Sequence, residues 1–501
     1  MIYGFVPHRS GVVENSKRAS IVIKTLNCVR KLSLSDEKKV QVCDVQILHL
    51  VQGGGGVNQR KPVQTELQMS RAQTSHTERA VRLTLRLLDE LGFGDGEAGS
   101  QVGVRLWNGM LWPDDALRPV TIVLKHPGAL RDMFLRGGEL GLAEAYLYDD
   151  FDIEGDIETV FGLQQALIEG KNGLVRKLHL ARDLLRLPGD SSHSIGRSGP
   201  AELKGDRHSA RRDRQAVTYH YDVSNEFYAL WLDQHMVYSC AYFESADVDL
   251  DRAQDRKLDH ICRKLRLRPG QRLLDIGCGW GGLVIHAVQH YGVDGTGITL
   301  SQPQADLANE RIAQAGLTDR CRVLVRDYRE VNEPESYDVL VSVGMFEHVG
   351  AAVLPAYFAQ AWQILKPGGV FLNHGIANTA ADRPPRGPSF SDTYVFPDGE
   401  LVPISTTLRV AEESGFEVRD VESLREHYAL TLRHWVRRLE AHHDEALKFV
   451  DEPTYRVWRL FMSGSAHGFT GGRLNLYQAL LVRANERGRS GLPLTRADWY
   501  A

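Results

Sequence analysis

The stretch LLDIGCGWGG, Leu273 to Gly282, constrains this chain more than any other. Two leucines lead into Asp275, and Gly277, Gly279 and Gly281 follow at alternate positions, the pattern of a buried strand that ends in a tight loop and feeds a helix. Glycine lets the backbone take up positive φ and lie flat against a ligand. A ligand held there sits at the carboxyl end of the first strand, beside a helix N-terminus, where an open parallel sheet places its crevice. Nucleotide-binding folds of several kinds share such a loop, so it does not choose the ligand alone.

The residues that follow alternate in a doubly wound way. GLVIHAVQHYG reads as a helix, DGTGITL as a strand, and Gln304 to Ala315 as a second helix. CRVLVRDY and YDVLVSVG supply two more strands, AVLPAYFAQAWQIL is a helix stopped at Lys366-Pro367-Gly368-Gly369, and GVFLNHGI is a fifth strand. This spacing predicts an α/β fold with a mostly parallel sheet covered on both faces. In a dinucleotide-binding fold an acidic residue ending the second strand holds the ribose hydroxyls. Here that strand runs into Thr299, Leu300, Ser301 and Gln302, with Gln304 beyond, which lowers the case for a nicotinamide cofactor.

At 501 residues the chain exceeds one ordinary core, and two or three domains are expected. Residues 1–75, with a four-glycine run at Gly53–Gly56, read as an irregular extension, and Met69 is a candidate start. Residues 76–188 read as a small α+β domain. It holds a helix ending at Gly92, a hairpin at Asn108-Gly109, the strand VTIVL, and helices to about Ile168 broken at Gly137 and Gly138. DDFDIEGD, Asp149 to Asp156, is spaced like a calcium loop, but the twelfth position from Asp150 is Phe161 where a glutamate is required, so an acidic surface turn is expected. Lys171, Arg176, Lys177, Arg182 and Arg186 alternate with leucines in a basic amphipathic helix. It suits an anionic membrane surface or, slightly favoured, a cover for its own core. Residues 189–216, rich in Ser, Gly and Pro, read as a linker, and the catalytic domain follows at 217–501.

A net charge of −4 argues against general attraction to nucleic acid. Cys28, Cys43, Cys240, Cys262, Cys278 and Cys321 show no zinc-like or disulfide-like spacing, which favours a reducing, cytoplasmic setting. No stretch approaches the roughly 20 apolar residues needed to span a bilayer, and the N-terminus lacks a signal peptide's apolar segment.

VTYHYDVSNEFYALWLD, VYSCAYF, LLDIGCGWGG, GITLSQPQ, GMFEHVG, KPGG, NHGI and REHYALTLRHW follow one another in an order and spacing that resemble the cyclopropane-fatty-acyl-phospholipid synthase family, which includes mycolic acid cyclopropane synthases. The resemblance runs from Val217 to the end, and the domain from Thr77 resembles the family's N-terminal lipid-associated domain. It implies a class I, Rossmann-like methyltransferase fold using S-adenosylmethionine (SAM). By match to the family's motifs, Tyr238, Ser239, Gly277, Gly279, Gly281, Thr299 and Gln304 contact SAM, with Asp327 and Tyr328 near its adenine. Cys240, Glu347, His374, Ile376 and Tyr428 line a bound bicarbonate, with main-chain N–H groups at Cys240 and Ile376 among its donors, and no metal is required.

The implied reaction converts cis double bonds of unsaturated acyl chains in membrane phospholipids into cyclopropanes. The implied site of action is the inner membrane face, by peripheral contact, with homodimer formation a further expectation. A methylene- or methyl-branched product and a non-catalytic lipid-binding relative are the alternatives. Taken singly, His374 reads as a structural histidine, Glu347-His348 as an ordinary helix start and Cys240 as a small buried hydrophobe. Their joint presence at the family's positions favours function. One departure stands out: members commonly carry a cysteine before the last helix where GSAHGF has Ser465, which disfavours a covalent role there.

Overall fold

In the computed structural model, which describes residues 63–169, 174–189, 203–221, 223–380 and 389–500, Val63–Leu91 is one helix. It begins inside the stretch expected to be irregular, because no glycine or proline interrupts the chain from Val63 to Leu91. The earlier part of that extension, residues 190–202 of the expected linker, and Lys171 of the basic segment lie outside the described residues, as do the side chains of Arg176 and Lys177. The end of the expected linker is instead structured: Ala210–Tyr221 is a helix that runs across the expected domain start at 217.

A four-stranded sheet follows, in the order β2-β1-β3-β4. β1 (Val102–Arg105) and β2 (Leu111–Trp112) form the antiparallel hairpin expected at Asn108-Gly109, closed by Gly109 N–H donating to the Leu106 carbonyl at 2.8 Å. β3 (Val120–Leu124) runs parallel to β1, and β4 (Phe151–Gly155) is antiparallel to β3. β4 corrects the expected acidic turn. Phe151 and Ile153 point into the core while Asp152 and Glu154 alternate outward, a strand signal hidden by the acids. The basic segment forms the helix Leu174–Leu184, with Leu184 and Leu187 buried and Leu178 and Leu185 exposed.

The second sheet has seven strands, in the order β10-β11-β9-β8-β5-β6-β7. β5 (Arg272–Ile276), β6 (Asp294–Thr299), β7 (Cys321–Val325), β8 (Tyr337–Val343) and β9 (Leu365–Asn378) are parallel, as expected. β10 (Glu417–Ser423) and β11 (Leu474–Val482), which the sequence reading did not anticipate, complete the edge, and β11 runs antiparallel to both neighbours. Lys366–Gly369 ends the preceding helix and enters β9 as a register shift against β8. Helices cover both faces. Ile261, Val284, Val288 and Ile312 pack on one side, and Tyr357, Phe358 and Val410 on the other. The strand order reverses between β5 and β8, which opens the crevice at their carboxyl ends.

Both sheets lie within one unit, Met69–Ala501, and the helix Glu452–Thr470 joins them. Arg456 donates to the Tyr146 carbonyl at 2.8 Å and to Asp149 at 2.9 Å. One turn on, Arg459 donates to the Tyr146 hydroxyl at 3.0 Å, the Ile153 carbonyl at 3.1 Å and Glu440 at 2.7 Å. Arg456→Ala should lower unfolding free energy by about 2 kcal/mol, because hydrogen bonds to charged groups contribute about 1.5–3 kcal/mol and the half-exposed aspartates are screened. Urea denaturation reads the change, and an unaltered midpoint would show that other contacts hold the sheets together.

Candidate active site

The glycine loop leaves β5 at Gly277, whose φ of 80° and close approach to Met345 both exclude a side chain: an added Cβ would lie 2.6 Å from the Met345 Cβ. Around this loop a cleft opens, with about 1160 Å³ of empty space including its open mouth. Tyr238, Ser239, Gly277, Gly279, Thr299, Gln304, Asp327 and Tyr328 all line it. Gly281 does not. Its Cβ position faces Ala308 at 3.1 Å, so it serves the packing of the following helix rather than the cleft. Gly279 and Gly344 border the cleft with no protein atom within 4 Å of an added Cβ, which leaves space for a ligand's body.

Each polar group on the rim is held from behind. Thr299 Oγ1 donates to Gln304 Oε1 at 2.7 Å, and Ser301 caps the helix Gln302–Gln314. Asp327 caps the short turn Tyr328–Glu330 and pairs with Arg329 at 2.6 Å. The segment at Tyr238 and Ser239 is pinned by the helix Leu250–Lys264: Gln254 donates to the carbonyls of Val237 and Ser239 at 3.2 and 2.9 Å, and Lys257 Nζ to Ser239 Oγ at 3.0 Å. Lys257 and Asp275 were missed as site residues, and both line the cleft. Burial lowers the Lys257 ammonium to about 8 and raises the Asp275 carboxyl to about 7, the latter opposed by Lys257. A signal for Lys257 existed: it shares a helix side with Ala253, Leu258 and Ile261, where a solvated lysine does not belong.

The second group adjoins the cleft. Glu347 lies between Met345 and His348, which border it, and Cys240 follows Ser239. Beyond the last β8–β9 pair, Val343 with His374, the Ile376 N–H donates to Glu347 Oε1 at 2.7 Å. That N–H was expected to face an anion directly; here it orients the carboxylate. Glu347 Oε2 is buried with no hydrogen-bond partner among the described residues, and burial raises the carboxyl to about 7. His374 lies two residues before Ile376 on the same face of β9. Its Nε2 is likewise buried without a partner, and burial, with Lys257 and Lys264 adding to it, drops its pKa to about 3, so the ring is neutral.

Tyr428 projects from the helix Arg425–Ala441, its ring 4.8 Å from that of Phe469. Burial raises its hydroxyl well above the ordinary range, and Cys240, Glu347 and Tyr221 push it further, so these four groups converge. The Cys240 thiol lies 3.2 Å from the Ala241 carbonyl, and burial pushes it upward, away from the reactive thiolate. Ser465, expected before the last helix, sits inside it: Glu452–Thr470 is the last α-helix among the described residues. Glu347 Oε2 and His374 Nε2 are thus each a buried polar atom without a partner among the described residues. Glu347, Cys240 and Tyr221 face Tyr428, while the charged groups that face His374 are Lys257, Lys264 and Glu422.

Residues 208–479 match the family described as mycolic acid cyclopropane synthetase. The chain is 41% identical over 400 residues to a probable fatty acid methyltransferase of Pseudomonas putida, covering 79% of this chain and 95% of that one. It is 34% identical over 371 residues to the cyclopropane-fatty-acyl-phospholipid synthase of Escherichia coli K12, covering 74% and 90%. Among solved structures, the cyclopropane synthase MmaA2 from Mycobacterium tuberculosis superposes with a TM-score of 0.52 at 34% identity, over 55% of this chain and 99% of that one. Mycolic acid cyclopropane synthase CmaA1, complexed with SAH and CTAB, gives 0.51 at 36%, over 54% and 97%.

Cys240, Cys262, Cys278 and Cys321 are all buried, and burial raises every one of these thiols. Native protein exposed to iodoacetamide at pH 8 should leave these four unmodified in peptide mass maps, while unfolded protein labels all of them. Rapid native labelling of Cys240 would contradict its enclosure.

Proposed function

The chain belongs to the mycolic acid cyclopropane synthetase family, and we propose that it methylenates cis double bonds of unsaturated acyl chains in membrane phospholipids, forming cyclopropanes. It is a SAM-dependent enzyme of the methyltransferase class I fold. The observation that carries the finer reading is the pair of partnerless buried atoms, Glu347 Oε2 and His374 Nε2, beside the cleft.

The cleft residues suit SAM: Gly277 and Gly279 for the nucleoside side, Thr299 and Gln304 in place of a ribose-binding acid, and Asp327 with Tyr328 near the adenine. Bound there, SAM supplies an electrophilic methyl, and bicarbonate in the second site supplies a base. An isolated alkene is a weak nucleophile, so Tyr238 and Ser239, fixed through Gln254 and Lys257, serve to orient the donor for attack. Alkylation of the double bond leaves a carbocation on the chain, and loss of a proton from the added methyl closes the ring. Glu347 Oε2 would accept from the hydroxyl of a bicarbonate held here, His374 Nε2 and the Tyr428 hydroxyl would donate to it, and the bound anion would supply the base for that proton. Aromatic walls around Tyr428 and Tyr238 exclude the water that would trap the cation as an alcohol.

Loss of a proton from a neighbouring chain carbon instead gives a methyl-branched alkene, and a 1,2-hydride shift followed by proton loss from the methyl gives a methylene branch; a saturated methyl branch further requires a hydride donor. The Pseudomonas putida relative, named a probable fatty acid methyltransferase, supports this second reading. No helix among the described residues is long and apolar enough to cross a membrane. Exposed Leu178 and Leu185, beside Arg182 and Arg186, suit peripheral contact with an anionic bilayer.

Expression in a bacterium without its own synthase, followed by mass spectrometry of fatty acids, should reveal cyclopropane chains. Branched chains would select the second reading, and no change together with no SAM-induced thermal shift would reject catalysis. Glu347→Ala or Tyr428→Phe should cut product about 10²-fold while SAM still binds, and near-normal activity in both would reject the anion site. Because burial raises the Glu347 carboxyl to about 7, and the ionised form is the acceptor, the rate at fixed bicarbonate should rise with pH through about 7 and level only above it. Glu347→Gln should lose that limb.

A further inference from the structure

We infer that Gln478 and Lys264 are positioning residues that fix the His374 ring as the Nε2–H tautomer, so that this proton faces the anion site. The three side chains lie in series. Lys264 Nζ donates to Gln478 Oε1 at 3.1 Å, and the Gln478 amide nitrogen lies 3.2 Å from His374 Nδ1. None reaches solvent: relative exposure is 0% for Lys264, 0% for Gln478 and 1% for His374, so water cannot substitute for a partner.

The assignment follows from what each group can do. An ammonium only donates, so the amide atom facing Lys264 is the oxygen, and the amide is not free to flip. The amide nitrogen then faces His374, and it too only donates. Nδ1 must therefore present its lone pair. A neutral imidazole carries one proton, which is left on Nε2, the atom without a partner. Lys264 is itself held by Glu422 at 2.8 Å and Asp420 at 3.3 Å, and His260 meets the same Glu422 oxygen at 2.8 Å. The series thus begins at two carboxylates on β10, crosses β11 at Gln478, and ends on β9. With the opposite tautomer, Nδ1–H would meet an amide N–H, and Nε2 would turn a lone pair toward an anion.

This inference rests on the anion-site reading, but the tautomer is read without turnover. Protein carrying ¹⁵N-imidazole histidine, with the His374 signals identified by their loss in His374→Asn, should show at neutral pH a protonated Nε2 and an unprotonated Nδ1. An Nδ1–H ring or an imidazolium in the unsubstituted protein would overturn the relay, and that measurement needs no folded variant. In Gln478→Glu the carboxylate only accepts, so Nδ1 should become protonated; an unchanged His374 spectrum in the folded variant would also overturn it. An inactive enzyme with the Nε2–H tautomer would reject the proposed reaction and support the relay. An active enzyme with the Nδ1–H tautomer would do the reverse.

Discussion

A lysine with no exposed surface must be answered from within the protein, and the arrangement around Lys264 is that answer. Stripping an ammonium of water costs several kcal/mol unless paired groups replace the solvent. Glu422 and Asp420 on β10 and Gln478 on β11 supply them. Burial alone would raise the Glu422 carboxyl, yet the hydrogen bond from His260 and the charge of Lys264 hold it down at about 2, so the carboxylate stays ionised. The requirement fixes two large elements against each other. The helix Leu250–Lys264 has to lie over the antiparallel end of the sheet, and once there it also sets Gln254 and Lys257 behind the cleft rim. One buried ion pair therefore couples the wall of the cofactor cleft to the strand that carries His374.

The same economy governs the site itself. Most buried polar atoms here find partners, as interiors require. Glu347 spends one oxygen on Ile376 N–H and His374 one nitrogen on Gln478, and each keeps one atom aside. The surroundings are aromatic: the rings of Tyr238 and Trp435 lie 5.2 Å apart, and those of Tyr428 and Phe469 4.8 Å. Such walls suit the cationic intermediate of the proposed reaction twice, by shutting out water and by turning electron-rich faces toward positive charge. A carboxylate with a raised pKa fits the same setting, because a dry site penalises its charge until a ligand completes it.

What the sequence disclosed follows from the range of each interaction. The parallel strands and the glycine loop were legible because their signals are local: apolar runs, turn residues, and glycines at positive φ. β4 was not, because its outward acids looked like a metal loop. β10 and β11 escaped because the alternation in EVRDVES is interrupted by charge and LNLYQALLV lies after a long helix, far from the alternating strands and helices that announce the parallel sheet. Gly281 shows the limit of a motif: it belongs to the signature yet serves a helix contact. The relay to His374 was beyond reach, since Lys264 and Gln478 are 214 residues apart and only the fold joins them.

Ser465 takes its meaning from the helix it sits on. At helical spacing it shares a stripe with Trp458, Met462 and Phe469, and this stripe faces the site: Trp458 lies 5.9 Å from Tyr238 and Phe469 4.8 Å from Tyr428. The adjoining face carries Arg456 and Arg459 to the N-terminal sheet. Ser465 itself is half-buried on this stripe and offers an alcohol, which is a far poorer nucleophile than a thiolate. In the proposed reaction the groups that guide proton loss lie elsewhere, on Glu347, His374 and Tyr428, each carried by its own backbone element. A direct transfer needs nothing more from this helix than an enclosing wall and a bridge between the two sheets.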